Sequence, residues 1–122
     1  MTRTQFNKFC GGLKATTHVV QWGGADVWKV GGKVFAIGWF AEKGSHPAIT
    51  FKVSDFAWEV LRGMPGLRPA PYLATRGMKW MQHYDAPGLS DRDLKDYLAD
   101  SHRIVSLGLT KKAQRELGLN QD

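Results

Sequence analysis

Apolar residues recur along this chain at two periods, and the changes of period mark its elements. Phe6, Phe9, Cys10 and Leu13 fall at i, i+3, i+4 and i+7, one face of a helix. Thr2 or Thr4 supplies its N-cap. Gly11 and Gly12 weaken the last turn, each by about 1 kcal/mol relative to Ala. The exposed side carries Arg3, Lys8 and Lys14. Beyond it the period shortens to two. THVVQW, ADVWKV and KVFAIGWF are β-rich runs separated by Gly23-Gly24 and Gly31-Gly32. Paired glycines between such runs predict hairpins, because glycine tolerates the positive φ of a tight turn.

Those glycines do not form a phosphate cradle. A phosphate loop runs from a strand through a longer glycine loop into a helix, usually by way of Lys-Ser or Lys-Thr. Here Lys33 leads into Val34 and a further strand. With Gly31-Gly32 as the turn, Val30 pairs with Lys33, Lys29 with Val34, and Trp28 with Phe35. Strict alternation then places Trp28, Val30, Phe35, Ile37 and Trp39 on one face. Val27, Lys29, Val34, Ala36 and Gly38 take the other. PAITFKV adds Ile49, Phe51 and Val53 to the first face and Ala48, Thr50 and Lys52 to the second. The large residues are expected beneath helices. The remaining face is expected to be flat, wet and studded with Lys29 and Lys52.

The period lengthens again in SDFAWEVLRG. Ser54 caps this helix, Asp55 sits in its first turn, and Phe56, Val60 and Leu61 face inward beside Trp58. MPGLRPAPYLATRG, rich in proline and glycine, reads as irregular. MKWMQHY is a fifth strand and DAPG a turn. SDRDLKDYLADSHRIVSLGL is the strongest helix, capped by Ser90, with a stripe of Leu94, Tyr97, Leu98, Ser101, Val105 and Gly108. Thr110 caps a short basic helix, TKKAQREL. Helices mixed with antiparallel strands make an α+β domain. At 122 residues the chain is read as one domain, 1–122.

Composition narrows the picture modestly. Apolar residues are 43% and charged residues 23%, ordinary globular values. No run reaches the roughly 18 apolar residues of a membrane span. A single cysteine, Cys10, makes no internal disulfide, and a cytoplasmic monomer is the expected state. Net charge is +6 and concentrated upstream: residues 1–84 hold 11 basic and 4 acidic side chains. Such a surface attracts polyanions or acidic ligands.

Reactive constellations are absent from the pattern. His18, His46, His83 and His102 show no metal spacing with each other or with Cys10. His83 and Asp85 lie two apart and form the one conceivable acid/base or metal pair. Asp100-Ser101-His102 is no triad, since successive helical residues point about 100° apart. Ser101 is expected to hydrogen-bond a backbone carbonyl. Cys10 reads as a small core residue, and Asp26 has no partner carboxylate. No catalytic residue, metal or cofactor is assigned. The candidates that remain are cationic: Lys29, Lys33 and Lys52 from the strands, Arg68, Arg76 and Lys79 from the proline segment and fifth strand, and Lys111, Lys112 and Arg115 from the last helix.

Taken in order, these features resemble the MmcQ/YjbR family of small bacterial proteins over nearly the whole chain. The matching stretches are the hairpin Lys29 to Phe35, Phe51-Lys52, Pro69 to Tyr72, Trp80, and Ser101 to Val105 followed by Lys111-Lys112. The chain departs at His102, where the family usually has tyrosine, and around Met64 to Arg68. The resemblance implies a frataxin-like (CyaY-like) sandwich, a five- or six-stranded antiparallel sheet with helices on one face. It also implies DNA binding through a double wing of hairpins, here the 31–32 turn and the 41–47 loop. Frataxins hold iron through acidic residues of the first helix and edge strand. This chain's first helix is basic, so an iron-donor role is not expected. The leading expectation is thus a DNA-binding protein using Lys29, Lys33, Lys52, Arg76, Lys79, Lys111 and Lys112 on phosphates. The alternative is a domain that binds a small anionic ligand or a protein through the proline loop and Trp80.

Overall fold

The paired glycines reverse the chain where the pattern requires. In the computed structural model, which describes residues 1–40, 46–74 and 77–121, Gly31 and Gly32 have φ of 56° and 84°. Positive φ at both central residues is the geometry of a two-residue hairpin turn. A side chain at Gly31 would meet the Leu109 Cδ1 at 2.6 Å, so the turn is also packed too tightly for a Cβ. Six strands result: β1 (Thr16–Gln21), β2 (Ala25–Val30), β3 (Lys33–Trp39), β4 (Ala48–Lys52), β5 (Leu67–Pro69) and β6 (Trp80–His83). They form one antiparallel sheet in the order β1-β2-β3-β4-β6-β5. Strand β5 lies within the segment read as irregular. Its three residues pair with β6, which the proline-rich composition concealed.

Four helices complete the α+β fold: α1 (Arg3–Gly11), α2 (Asp55–Leu61), α3 (Asp91–Leu107) and α4 (Lys111–Leu117). Each begins at a side-chain cap that accepts a backbone N–H: Thr2, Ser54, Ser90 and Thr110. Thr2 and Gln5 complete a capping box. The expected apolar stripes of α1 and α3 are buried, through Phe6 and Cys10 and through Leu94, Leu98, Ser101 and Val105. They pack with Trp28, Val30, Phe35, Ile49, Phe51 and Met81 of the sheet into the main core. Helix α2 departs from expectation. It docks through Ala57 and Leu61, leaving Phe56 80% and Val60 47% exposed. Seven residues present one inward stripe, and Ala57 and Leu61 share it at i, i+4. Among the described residues no helix is long and apolar enough to cross a membrane.

One irregularity reorganises the sheet. The expected pairs Val30–Lys33 and Lys29–Val34 are present, but Trp28 pairs with Ala36, not Phe35. Phe35 is the extra residue of a β-bulge, so Phe35 and Ala36 both face the helices. The Ser101 hydroxyl of α3 accepts the Lys52 N–H at 2.9 Å and donates to the Phe35 carbonyl at 2.7 Å. It stands between two strands where a ladder bond would otherwise form. Past the bulge the alternation is inverted. Ile37 and Trp39 leave the helix-covered face, and Gly38 turns toward Phe6 and Phe40, too close for any side chain of its own.

Candidate functional site

The inverted alternation fills the face that the sequence reading left flat and wet. Ile37 and Trp39 of β3 join Val19, Ala25, Val27 and Val34 in a second apolar cluster on the side without helices. Thr50 of β4 and Trp80 and Gln82 of β6 continue that side across the sheet, as their pairing shows. After β5 the chain folds over it. Ala70 donates its N–H to the Trp80 carbonyl, Ala74 closes a turn onto Ala70, and Leu73 packs on the Val27–Ile37 cluster. Between sheet and loop lies a cavity of about 520 Å³. Its floor is Ile37, Thr50, Trp80 and Gln82, and Ala70, Pro71 and Leu73 roof it.

Two exposed aromatics stand at the rim. Trp22, 57% exposed, comes from the β1–β2 turn, and Tyr72, 86% exposed, from the loop. Both hold positive φ, 51° and 68°. Such backbone is uncommon for bulky L-residues and collects at binding and catalytic sites. Three of the five tryptophans (Trp22, Trp39 and Trp80) line this cavity. Trp28 and Trp58 lie on the helix side.

Polar chemistry enters only at the floor. Gln82 is 6% exposed. Its amide oxygen accepts from Arg68 Nε at 2.9 Å and Nη2 at 2.7 Å. Its amide nitrogen donates to the Thr50 hydroxyl at 3.1 Å. The Arg68 guanidinium also lies 4.3 Å above the Tyr84 ring, which holds it in place. The buried indole N–H of Trp80 has no hydrogen-bond partner among the described residues.

Among the described residues, the cations proposed for phosphate contact do not converge. Lys29 and Lys52, half-buried, share the open face beside the cavity, at cross-strand positions to Val34 and Trp80. They are two strands apart, about 10 Å. Lys33 turns to the helix side, where its ammonium donates to the Gly108 carbonyl at 3.3 Å. Lys79 lies 3.9 Å from Asp55 and 5.3 Å over the Trp58 ring. Lys111 and Lys112 are exposed on α4, with Lys112 3.9 Å from Glu116. Arg76 falls outside the described residues, as do residues 41–45 of the second expected wing. The open face therefore keeps Lys29, Lys52 and Arg68, and no described strand residue on it is acidic.

Most of the remaining polar groups satisfy structure; the buried His83 Nε2 has no hydrogen-bond partner among the described residues. Asp100, Ser101 and His102 bond to Arg103, Phe35 and Lys14 respectively, three separate directions. Asp85 takes the Ala86 N–H. His83 is buried in the main layer, 5.5 Å from the His46 ring. Burial, and then the His46 charge, holds it below the ordinary imidazole range. Burial also pushes the Cys10 thiol up, away from thiolate chemistry. Asp26, read as lacking a partner carboxylate, is fully buried between Arg3 and His18. Burial by itself would raise its carboxyl. The bonds and charge of Arg3, with His18 and Asn7, outweigh it and hold Asp26 below the usual range. Among the described residues, no three His, Cys, Asp or Glu side chains converge as metal ligands do.

Comparison with known proteins places this geometry. The YjbR family model matches residues 11–104, most of the chain. The chain belongs to the YjbR family. A crystal structure of a Deinococcus radiodurans protein with a DUF419 domain superposes with a TM-score of 0.83 at 21% identity, covering 97% of this chain and 88% of that one. A Pseudomonas syringae protein aligns with a TM-score of 0.66 at 20% identity, over 85% of this chain and 98% of its own. At such identities these structures establish the shared fold. No curated protein matches. Within the YjbR frame, sequence reasoning found Trp80 and the proline loop but missed Trp22, Ile37, Trp39, Thr50 and Gln82. The side taken by Ile37 and Trp39 depends on a bulge that strict alternation cannot reveal.

Proposed function

We propose that this YjbR protein is a ligand-binding module whose open-face pocket holds a small, largely apolar molecule with an anionic or hydrogen-bond-accepting end. One observation carries the reading: a cavity of about 520 Å³ lined by Trp22, Trp39, Trp80, Ile37 and Leu73, on the face without helices. That volume falls in the range of small-molecule sites, which pair apolar walls with a few placed polar groups. Lys29, Lys52 and Arg68 around it favour an anion. The described cations named for the DNA-binding reading are divided between two faces, whereas a phosphate surface needs contiguous cations, and this favours the pocket.

The five tryptophans make the test internal. Titration with 2-naphthoate, followed by NMR of the indole N–H groups, should shift Trp22, Trp39 and Trp80 saturably. Trp28, whose indole is bonded to Asn7 on the helix side, and Trp58 should stay still. No saturable shift, or equal movement of all five, would reject the pocket. DNA binding would instead show duplex affinity falling steeply with salt, with a log–log slope of about −0.9 per phosphate contacted. Persistence of that affinity in Trp39→Ala would favour the DNA reading over the pocket.

A further inference from the structure

Resting on the pocket reading, we infer that Arg68 is a positioning residue that makes the pocket floor a donor-rich surface, so that the ligand presents a carbonyl or carboxylate to Gln82 and Thr50. A glutamine amide is symmetric enough to turn over, and it offers an acceptor or a donor depending on which way it lies. A guanidinium has only donors. With Arg68 Nε and Nη2 both on one amide atom, that atom is the Gln82 oxygen. The nitrogen then faces Thr50, and one of its two hydrogens is used on the Thr50 oxygen. The second amide hydrogen has no acceptor among the described residues, and neither does the Thr50 hydroxyl hydrogen.

Both residues line the cavity, and both are almost fully buried. The Trp80 indole, part of the same floor, adds a third donor without a partner. The Gln82 oxygen is filled by Arg68, the Thr50 oxygen keeps one lone pair, and three donors lack a partner among the described residues. A ligand that brings a further donor meets a single lone pair, whereas one that brings an acceptor can answer several donors. Above the floor the walls are indole, proline and aliphatic side chains, which suit a flat ring system. The ligand class is accordingly a planar apolar ring bearing a carbonyl or carboxylate at its inner end.

The experiment compares two neutral probes of one shape, 2-acetylnaphthalene and 2-ethylnaphthalene, by the Trp22, Trp39 and Trp80 indole shifts. The acetyl compound should bind about fivefold more tightly, the worth of one net hydrogen bond. In Arg68→Leu the amide is free to turn and the preference should fall, the Thr50 and Trp80 donors keeping part of it, with ethyl affinity little changed. Arg68→Lys keeps a donor and should keep most of the preference. Unmoved Trp28 and Trp58 resonances would show each variant folded. Equal binding of the two probes to the unmodified protein would overturn the donor-rich floor while leaving the pocket standing. So would an Arg68→Leu variant that keeps the full preference. If neither probe binds, the pocket itself fails and the inference with it.

Discussion

Asp26 and Gln82 are both polar, both buried and both on strands of one sheet, yet their surroundings differ in kind. On the helix side, Asp26 commits both oxygens, to Arg3 at 2.7 and 3.0 Å and to His18 at 2.8 Å. On the open side, Gln82 is equally enclosed but stands beside donors with nothing to donate to. The apolar layers differ in parallel. Phe6, Phe35 and Phe51 fill the helix side without exposure, whereas the open side keeps a cavity walled by three tryptophans. Folding alone accounts for the Asp26 arrangement, since buried polar groups are ordinarily satisfied, although the His83 Nε2 on the same side lacks a partner among the described residues. Under the proposed reading, the partnerless donors of the second would meet an acceptor on a bound molecule, and the contrast would separate a face that holds the fold from a face that holds a ligand.

The sharpest way to break this contrast is to cut each face by one large side chain. Phe51→Ala on the helix side should cost about 3–5 kcal/mol in chemical denaturation, because it leaves a cavity in a closed core. A cost under about 1 kcal/mol would show that side to be loosely packed.

Ser101→Ala tests the pin between the faces. Removing the hydroxyl orphans the Phe35 carbonyl and the Lys52 N–H and should cost about 1–3 kcal/mol. It should also weaken 2-naphthoate binding, because the bulge that turns Ile37 and Trp39 into the cavity loses its anchor. Stability lost with binding unchanged would separate the bulge from the pocket.

Acid should act through the helix side. Asp26 and His83 are both held below their ordinary ranges, so the folded state binds fewer protons than the unfolded chain at each. Their contributions are present above the unfolded values and are lost as pH falls. Stability should therefore begin to drop below about pH 6.5 as His83 takes a proton, and drop again below about pH 4 as Asp26 does. His83→Gln should flatten the upper part of a pH–denaturation profile and Asp26→Asn the lower. A profile unchanged by both substitutions would contradict the assignment.

Trp39→Ala is the counterpart on the open side. Its stability cost should be about 1 kcal/mol, smaller than at Phe51, because the side chain is only half-buried. Affinity for 2-naphthoate should nevertheless fall more than tenfold, measured by the Trp22 and Trp80 shifts. Last and smallest, Lys33→Ala and Lys112→Ala should change stability by less than about 0.5 kcal/mol and leave probe binding alone, being exposed and away from the cavity. A large loss of binding in either would restore the distributed cationic surface.

Much of the molecule was legible in its residues because the signals are local. A cap accepts a hydrogen bond three residues on, a Gly-Gly turn needs only its own φ angles, and the stripes of α1 and α3 depend on spacing alone. The hairpin, the four caps and the α+β class follow from these. What alternation could not supply was the side of the sheet occupied by Ile37 and Trp39. That side is set at Phe35 by a serine 66 positions away in sequence, whose hydroxyl takes a carbonyl that a neighbouring strand would have used. Likewise, no local pattern announces that the segment after Pro69 will lie across Val27 and Ile37, or that Arg68 will orient Gln82. Spacing chose the elements, since each side chain's direction is counted from its neighbours. Contacts between distant segments chose the pocket, because one extra residue in a strand inverts every side chain beyond it.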